Sequence, residues 1–180
     1  MAEIDLFANQ LLEESKRFLE KANETSDTIS RTAHTHASLL LAFCALEAHI
    51  NAIAEEFSIG QNLSAHERGI LLEKEVKLQD GEFRLTGGLK ITRLEERIEF
   101  LHAKFSGQPL DRSAPWWGAI SSAIDLRNKL THVKAVPAIN LTQVRNPIQA
   151  VIDAIDALYS AIYKRKFPLA SQGLQSSMTF

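Results

Sequence analysis

The stretch DLRNKLTHVK, residues 125–134, gathers Arg127, Asn128 and His132 within six positions. A histidine can give or take a proton near neutrality. An arginine keeps its charge at any working pH and can grip an anion through two parallel N–H groups. An asparagine one turn before a histidine can steady the imidazole or touch the same anion. Such a set suits proton transfer at a centre where negative charge develops. Lys129 and Lys134 add local positive potential. Asp125, one turn from Asn128, would either favour a charged imidazole or repel an anion, and the sequence leaves both open.

The spacing sets a constraint. Residues on a helix advance by about 100° each, so Arg127 and His132 diverge by about 140°. One straight helix cannot aim both at one atom. Either the helix distorts near His132, or two copies of the chain meet here and line a shared groove. On the same wheel Asp125, Asn128 and His132 form one stripe, and Ala119, Ala123, Leu126, Leu130 and Val133 form an apolar one. Arg127 lies on neither and is expected to be half-buried beside Ala123 and Ile124. A half-buried arginine requires an acceptor. Glu47, between Phe43 and Ile50 in an apolar segment, requires a partner too. A structural Arg127–Glu47 pair is therefore a competing account of both residues.

The elements that must position this set are helices. Glycine and proline are few and fall between periodic stretches. The periodicity predicts a helix over about residues 3–23, with Ile4, Phe7, Leu11, Phe18 and Ala22 inward and Glu13, Glu14, Lys16 and Arg17 outward. A second helix over about 29–57 carries Leu39, Phe43, Leu46, Ile50, Ile53 and Phe57 as a seam that Leu40, Leu41 and Ala45 widen, marking a central element. SAHE at 64–67 is a capping box and predicts a helix through about Val76. Asp80-Gly81 predicts a hairpin or a loop near 76–86. ITRLEERIEFLHAKF predicts a helix ending before Gly107. Ser113 is the expected N-cap, with Pro115 in the first turn, of a motif helix over 113–136 that stops before Pro137. A last helix is expected over about 140–167, with Pro147 in its first turns.

The fold class expected is therefore all-α, a bundle of five or six helices in one domain over 1–167, with a flexible tail over 168–180. The formal net charge of −2 argues against non-specific coating of nucleic acid but leaves room for a small basic cleft. A lone cysteine, Cys44, excludes a disulfide framework and suits a cytoplasmic setting. The longest apolar run is short and broken by Glu47, so no membrane segment is expected. His34 and His36, two apart, point away from one another, and no metal or cofactor is expected. His49 shares a face with Glu56 and is expected to be solvated. Trp116 and Trp117 are expected to pack, Cys44 to be a small buried apolar residue, and Lys164, Arg165 and Lys166 to complement a helix end.

RNKLTH, an arginine and a histidine separated by four residues late in a helical bundle with asparagine directly after the arginine, resembles the signature of the HEPN domain superfamily. The upstream segment LLLAFCALEAHINAIAEEF resembles that superfamily's first core helix, including an acidic residue among apolar ones. The resemblance covers roughly residues 30–166. It implies an all-α, usually dimeric fold, here a homodimer through the 113–136 helix. It implies a metal-independent endoribonuclease, toxin-like or of antiviral or abortive-infection defence, with RNA rather than DNA as substrate and with scope for an antitoxin partner. Arg127 and His132 match the catalytic pair, Asn128 the polar residue beside the arginine, and Glu47 an upstream acidic position; Asp125 and Lys129 would support them. RNA can be cut by its own 2′-OH, and the residues provide what that reaction requires: a base or acid in His132 and a cation for the charged phosphorane in Arg127. Other members have lost catalysis, so the alternative is a non-catalytic helical module for interaction or dimerisation.

Overall fold

The computed structural model describes residues 2–180, and among them it shows six α-helices and one two-stranded antiparallel sheet. In chain order these are α1 (Ala2–Glu24), α2 (Thr28–Ser58), α3 (Ala65–Leu72), β1 (Lys74–Gln79), β2 (Glu82–Leu89), α4 (Leu94–Ser106), α5 (Pro115–Thr131) and α6 (Leu141–Tyr163), with a short 3₁₀ turn at Ala170–Gln172. The helical class expected from periodicity is what the structure has, with the hairpin as its one β element.

α2 is the centre. Leu39, Phe43, Leu46, Ile50 and Ile53 are all buried, so its seam meets neighbours along the whole length. α1 packs along it, and α6 joins it to α5 and α4. α2 is long and apolar enough to cross a bilayer, but 61% of that window is buried inside the bundle, which is compatible with a soluble core helix. α6 supplies Val144, Ile148, Val151, Ile152, Ile155 and Leu158 to the same core. Its start is fixed by a capping box in which Asn140 and Gln143 each satisfy the other's backbone N–H. Pro147 sits inside this helix without ending it.

Between α3 and α4 the hairpin forms because Asp80 and Gly81 both take positive φ, 51° and 82°. That is the backbone a two-residue turn requires, and Asp-Gly reaches it at low cost. The helix expected to run to Val76 ends at Leu72, because Glu73 turns left-handed (φ 51°) and Lys74 pairs with Leu89.

Several inward faces differ from the expected ones. On α1 the buried stripe is Ala8, Leu12, Ser15, Lys16, Leu19 and Ala22, one position round from the expected one, and Phe7 is exposed. Lys16 and Glu13, expected outside, are inside and paired at 2.9 Å. His49 is fully buried between Tyr159 and Phe167, edge to face with both rings. Cys44, expected inside, is exposed. Trp116 and Trp117 meet each other edge to face at the start of α5 and pack, partly buried, against the core.

The C-terminal residues, expected to form a flexible tail, are held. Phe167 is buried, Leu169 and Leu174 pack on the core, and Ser176 and Ser177 donate hydrogen bonds to Glu13 and Glu20 of α1. Residues 168–180 carry no charged side chain, which lets this segment lie on an apolar surface.

Candidate functional site

α5 begins later and ends sooner than the sequence suggests. Ser113 is engaged with Asp111 rather than capping, Ala114 occupies the N-cap, and Pro115 opens the helix. Thr131 is its last residue, not Val136. His132 leaves helical geometry at φ −115° and ψ 59°, while its N–H still donates to Asn128 O. The cause is local: β-branched Thr131, Val133 and Val136 crowd the turn, and Pro137 forces the residue before it into extended backbone. Of the two solutions the spacing left open, helix distortion at His132 is therefore present.

α5 buries Ile120, Ala123 and Ile124, so of the expected stripe Ala123 is buried, Leu126 and Leu130 are half-buried against the core, and Ala119 and Val133 are exposed. Arg127 follows that buried face. Asp125, Arg127 and Asn128 line a cleft of about 590 Å³ together with Glu47 and Asn51 of α2, Glu73, Leu89 and Ile91 of the hairpin region, and Arg93, Glu95 and Arg97 at the start of α4. Its size is that of a small-molecule site. Four carboxylates face three guanidiniums there, so the cleft is mixed in charge rather than basic.

Two arginines in this cleft behave differently. Arg97, 5% exposed, is fully engaged: it donates to Asn51 Oδ1, to Leu71 O and to Glu73. Burial pulls its pKa down from the usual value, and the charges of Glu73 and Glu47 oppose this. Arg127 lies over the Phe43 ring, 5.2 Å from its centroid, and makes one long contact, 3.4 Å, to Glu47 Oε1. Its Nε is out of solvent with no hydrogen-bond partner among the described residues. A cation on an aromatic face with unsatisfied donors can take an anion. Glu47, about half exposed, already offers one.

The structure thus brings Arg127, Asn128, Asp125 and Glu47 together. It does not bring His132 to them: His132 is exposed at the helix end and does not line the cleft. Lys129 faces away from the cleft, into a groove between α5 and α6. Cys44, exposed as a residue, stands close enough to Glu47 and Arg127 to feel both charges; partial desolvation of the thiol by its neighbours pushes it up, Glu47 adds to this and Arg127 opposes it. Among the described residues no three His, Cys, Asp or Glu side chains converge as metal ligands.

Sequence reasoning missed Arg97, Asn51 and Glu73. Arg97 was within reach, since it shares a helical stripe with Leu94, Ile98 and Leu101 and so had to be buried. Asn51 was within reach too, one turn after Glu47 on α2, but Glu73 carries no such signal, because only the turn out of α3 brings it to α4.

No family model, no curated protein and no solved structure matches this chain.

Proposed function

We propose that this chain is a metal-independent endoribonuclease with a HEPN-like fold. One observation carries the reading: Arg127 sits beside Asn128 at a cleft, held by one long contact to Glu47 and with its Nε unpartnered among the described residues, whereas Arg97 next to it has three partners. A purely structural arginine is expected to resemble Arg97. In the reaction the 2′-oxygen attacks the adjacent phosphorus and the 5′-oxygen departs. Arg127 neutralises the phosphorane, Asn128 orients it, and His132 moves the proton. Since one chain keeps His132 out of the Arg127 cleft, the complete centre is a homodimer in which the cleft-facing side of α5 meets the helix end of a second copy. The resemblance of RNKLTH to the HEPN signature extends the reading to toxin-like or defence ribonucleases, with an antitoxin as a further partner.

A second reading has its own support. Arg127 is paired with Glu47 and stacked on Phe43, the cleft holds more carboxylates than cations, and His132 faces water. These suit a non-catalytic interaction module. The deciding experiment is cleavage of varied RNAs in EDTA by the wild type, Arg127→Ala and His132→Ala, all checked for fold and oligomeric state. The nuclease reading expects 2′,3′-cyclic phosphate and 5′-hydroxyl ends, with a loss of roughly a hundredfold or more in either folded variant. Activity that survives in both variants, or that depends on an added divalent ion, would sink it.

A further inference from the structure

We propose that the cleft between the end of α2, α3 and the base of the hairpin binds a small organic phosphate, held by Arg68 and Lys74. The inference goes beyond the ribonuclease reading and does not depend on it. The cleft has a volume of about 700 Å³, in the range of small-molecule sites, and shares no lining residue with the Arg127 cleft.

Charge is the first argument. Arg68 and Lys74 both line the cleft, and no Asp or Glu does. Neither cation makes an ion pair among the described residues. The carboxylates nearest them in sequence are spent elsewhere. Glu67 holds Lys104 at 2.6 Å and accepts from the Ser64 N–H. Glu73 holds Arg97, and Glu75 holds Lys77 and accepts from the Thr86 hydroxyl. Lys74 also borders a neighbouring pocket that contains Glu96, and the two are not paired. Two uncompensated cations match a dianion, so a phosphate monoester suits them better than a single carboxylate.

The state of Arg68 is the second argument. Its Nη2 donates to Gly60 O at 3.0 Å, which fixes the guanidinium in place. Its Nε is out of solvent with no hydrogen-bond partner among the described residues. A buried donor without an acceptor is costly, and an anion's oxygen would satisfy it.

The lining is the third. Ile59, Leu72 and Leu85 give apolar walls that suit an organic body attached to the phosphate. Beside them β2 bulges: Lys74 pairs with Leu89 and Val76 with Leu85, so Thr86, Gly87 and Gly88 stand opposite Glu75 alone. A Cβ on Gly87 would meet no protein atom within 4 Å, so packing does not require this glycine. A glycine in a bulged strand lets a ligand come close to the backbone. The Ser58 and Thr86 hydroxyls already donate, to Glu55 O and to the Glu75 carboxylate, so the hold on the anion falls to the two cations.

The test titrates phenyl phosphate into the isotope-labelled full chain at constant ionic strength and follows amide shifts by NMR. The Lys74, Thr86, Gly87 and Gly88 amides should shift and saturate. Inorganic phosphate should move the same amides with weaker affinity, and benzoate, the same ring with one charge, should bind more weakly than phenyl phosphate. Arg68→Gln and Lys74→Gln should each weaken phenyl phosphate binding by roughly tenfold, the usual effect of losing a charge-assisted hydrogen bond. Lys129→Gln, in a different groove, should change it by less than about twofold at physiological salt. Lys74 is exposed, so its variant keeps the test decisive even if Arg68→Gln, which also loses the bond to Gly60 O, does not fold. No saturable shift at these amides would overturn the site, as would shifts that sodium chloride reproduces. Benzoate binding as tightly as phenyl phosphate would remove the phosphate assignment, and wild-type affinity in Lys74→Gln would remove the two-cation hold. Shifts confined to the Asp125, Arg127 and Asn128 amides would place the anion in the other cleft and overturn this one.

Discussion

Arg127 and Glu47 are the residues on which the two functional readings divide, and their geometry allows a direct test. The contact is a single one at 3.4 Å, beyond the usual range of about 2.7–3.2 Å for N–H···O bonds. Glu47 is therefore a weak occupant of a position that a phosphate could take. In Glu47→Gln the competing charge is gone while shape is kept, so the affinity for inorganic phosphate or a nucleoside monophosphate should rise several-fold, read by titration calorimetry. If Glu47 instead secures Arg127 for packing alone, the same variant should lower the melting temperature and leave anion affinity unmeasurable. The membership of this cleft was half legible in the sequence. The need of Arg127 and Glu47 for one another followed from two charges in apolar company. Asn51 was within reach, one turn after Glu47 on the same face of α2, whereas Glu73 did not follow, because it arrives through the turn after α3 and no periodicity encodes that. The exposure of His132 was visible only as a constraint, the mismatch of about 140° with Arg127.

At the scale of elements, caps and turns set the boundaries that position these groups, and Asn140 is the informative case. Its side chain accepts from Gln143 N–H, and Gln143 answers at Asn140 N–H. Asn140→Ala should cost about 1 kcal/mol, as loss of an N-cap usually does, and lower the midpoint in urea without changing the slope. It should also loosen the α5/α6 groove, which Gln143 lines. Element types were largely readable, because 3.6-residue periodicity, the Ser64–Glu67 box and Asp80-Gly81 are local signals. Element faces were less so. The stripes of α1 and α5 were each placed off the true one, since tertiary packing turned α1 by about one position, taking in the paired Lys16 and Glu13, and turned α5 toward Ile120 and Ile124. His49 shows the same override. It lies on the inward side of α2 and meets Tyr159 and Phe167, 110 and 118 positions along the chain. Burial pulls its pKa down from 6.5 to about 4. The unfolded chain then takes up a proton there from pH 6.5 downward while the folded chain resists until about 4. Stability from this site is thus complete above pH 6.5 and is lost as pH falls across that window, by about 3 kcal/mol in all. His49→Leu should flatten that part of the stability–pH curve measured by urea unfolding; a curve as steep as wild type would show that His49 titrates normally.

For the whole molecule, the joining of the C-terminal segment to α1 is the feature that closes the chain on itself. Lys16 has no exposed surface and its partner is Glu13. Glu13 in turn accepts from the Ser177 backbone and hydroxyl and from Ser176, while Arg17 donates to Phe180 O and the Phe180 ring meets Phe18. Burial pushes the Glu13 carboxyl up, but the hydrogen bonds from Lys16 and Ser177 more than reverse this and hold it below its usual range. A buried ion pair adds little compared with apolar residues of the same volume, but breaking one partner out is expensive. Glu13→Ala would leave the Lys16 ammonium inside without a counter-charge and free Ser177, while Ser176 keeps the Glu13 carbonyl and Glu20. It should cost about 3–5 kcal/mol in urea unfolding. The double variant Glu13→Leu, Lys16→Met removes both charges and should recover most of that loss. Limited proteolysis then separates the two effects. In Glu13→Ala, and in the double variant as well, the residues after Phe167 should be cut faster than in the wild type, since both remove the carboxylate that accepts from the Ser177 N–H and hydroxyl. A double variant that regains stability yet keeps a protected tail would mean that the apolar contacts of Leu169, Leu174 and Phe180 hold this segment without that carboxylate.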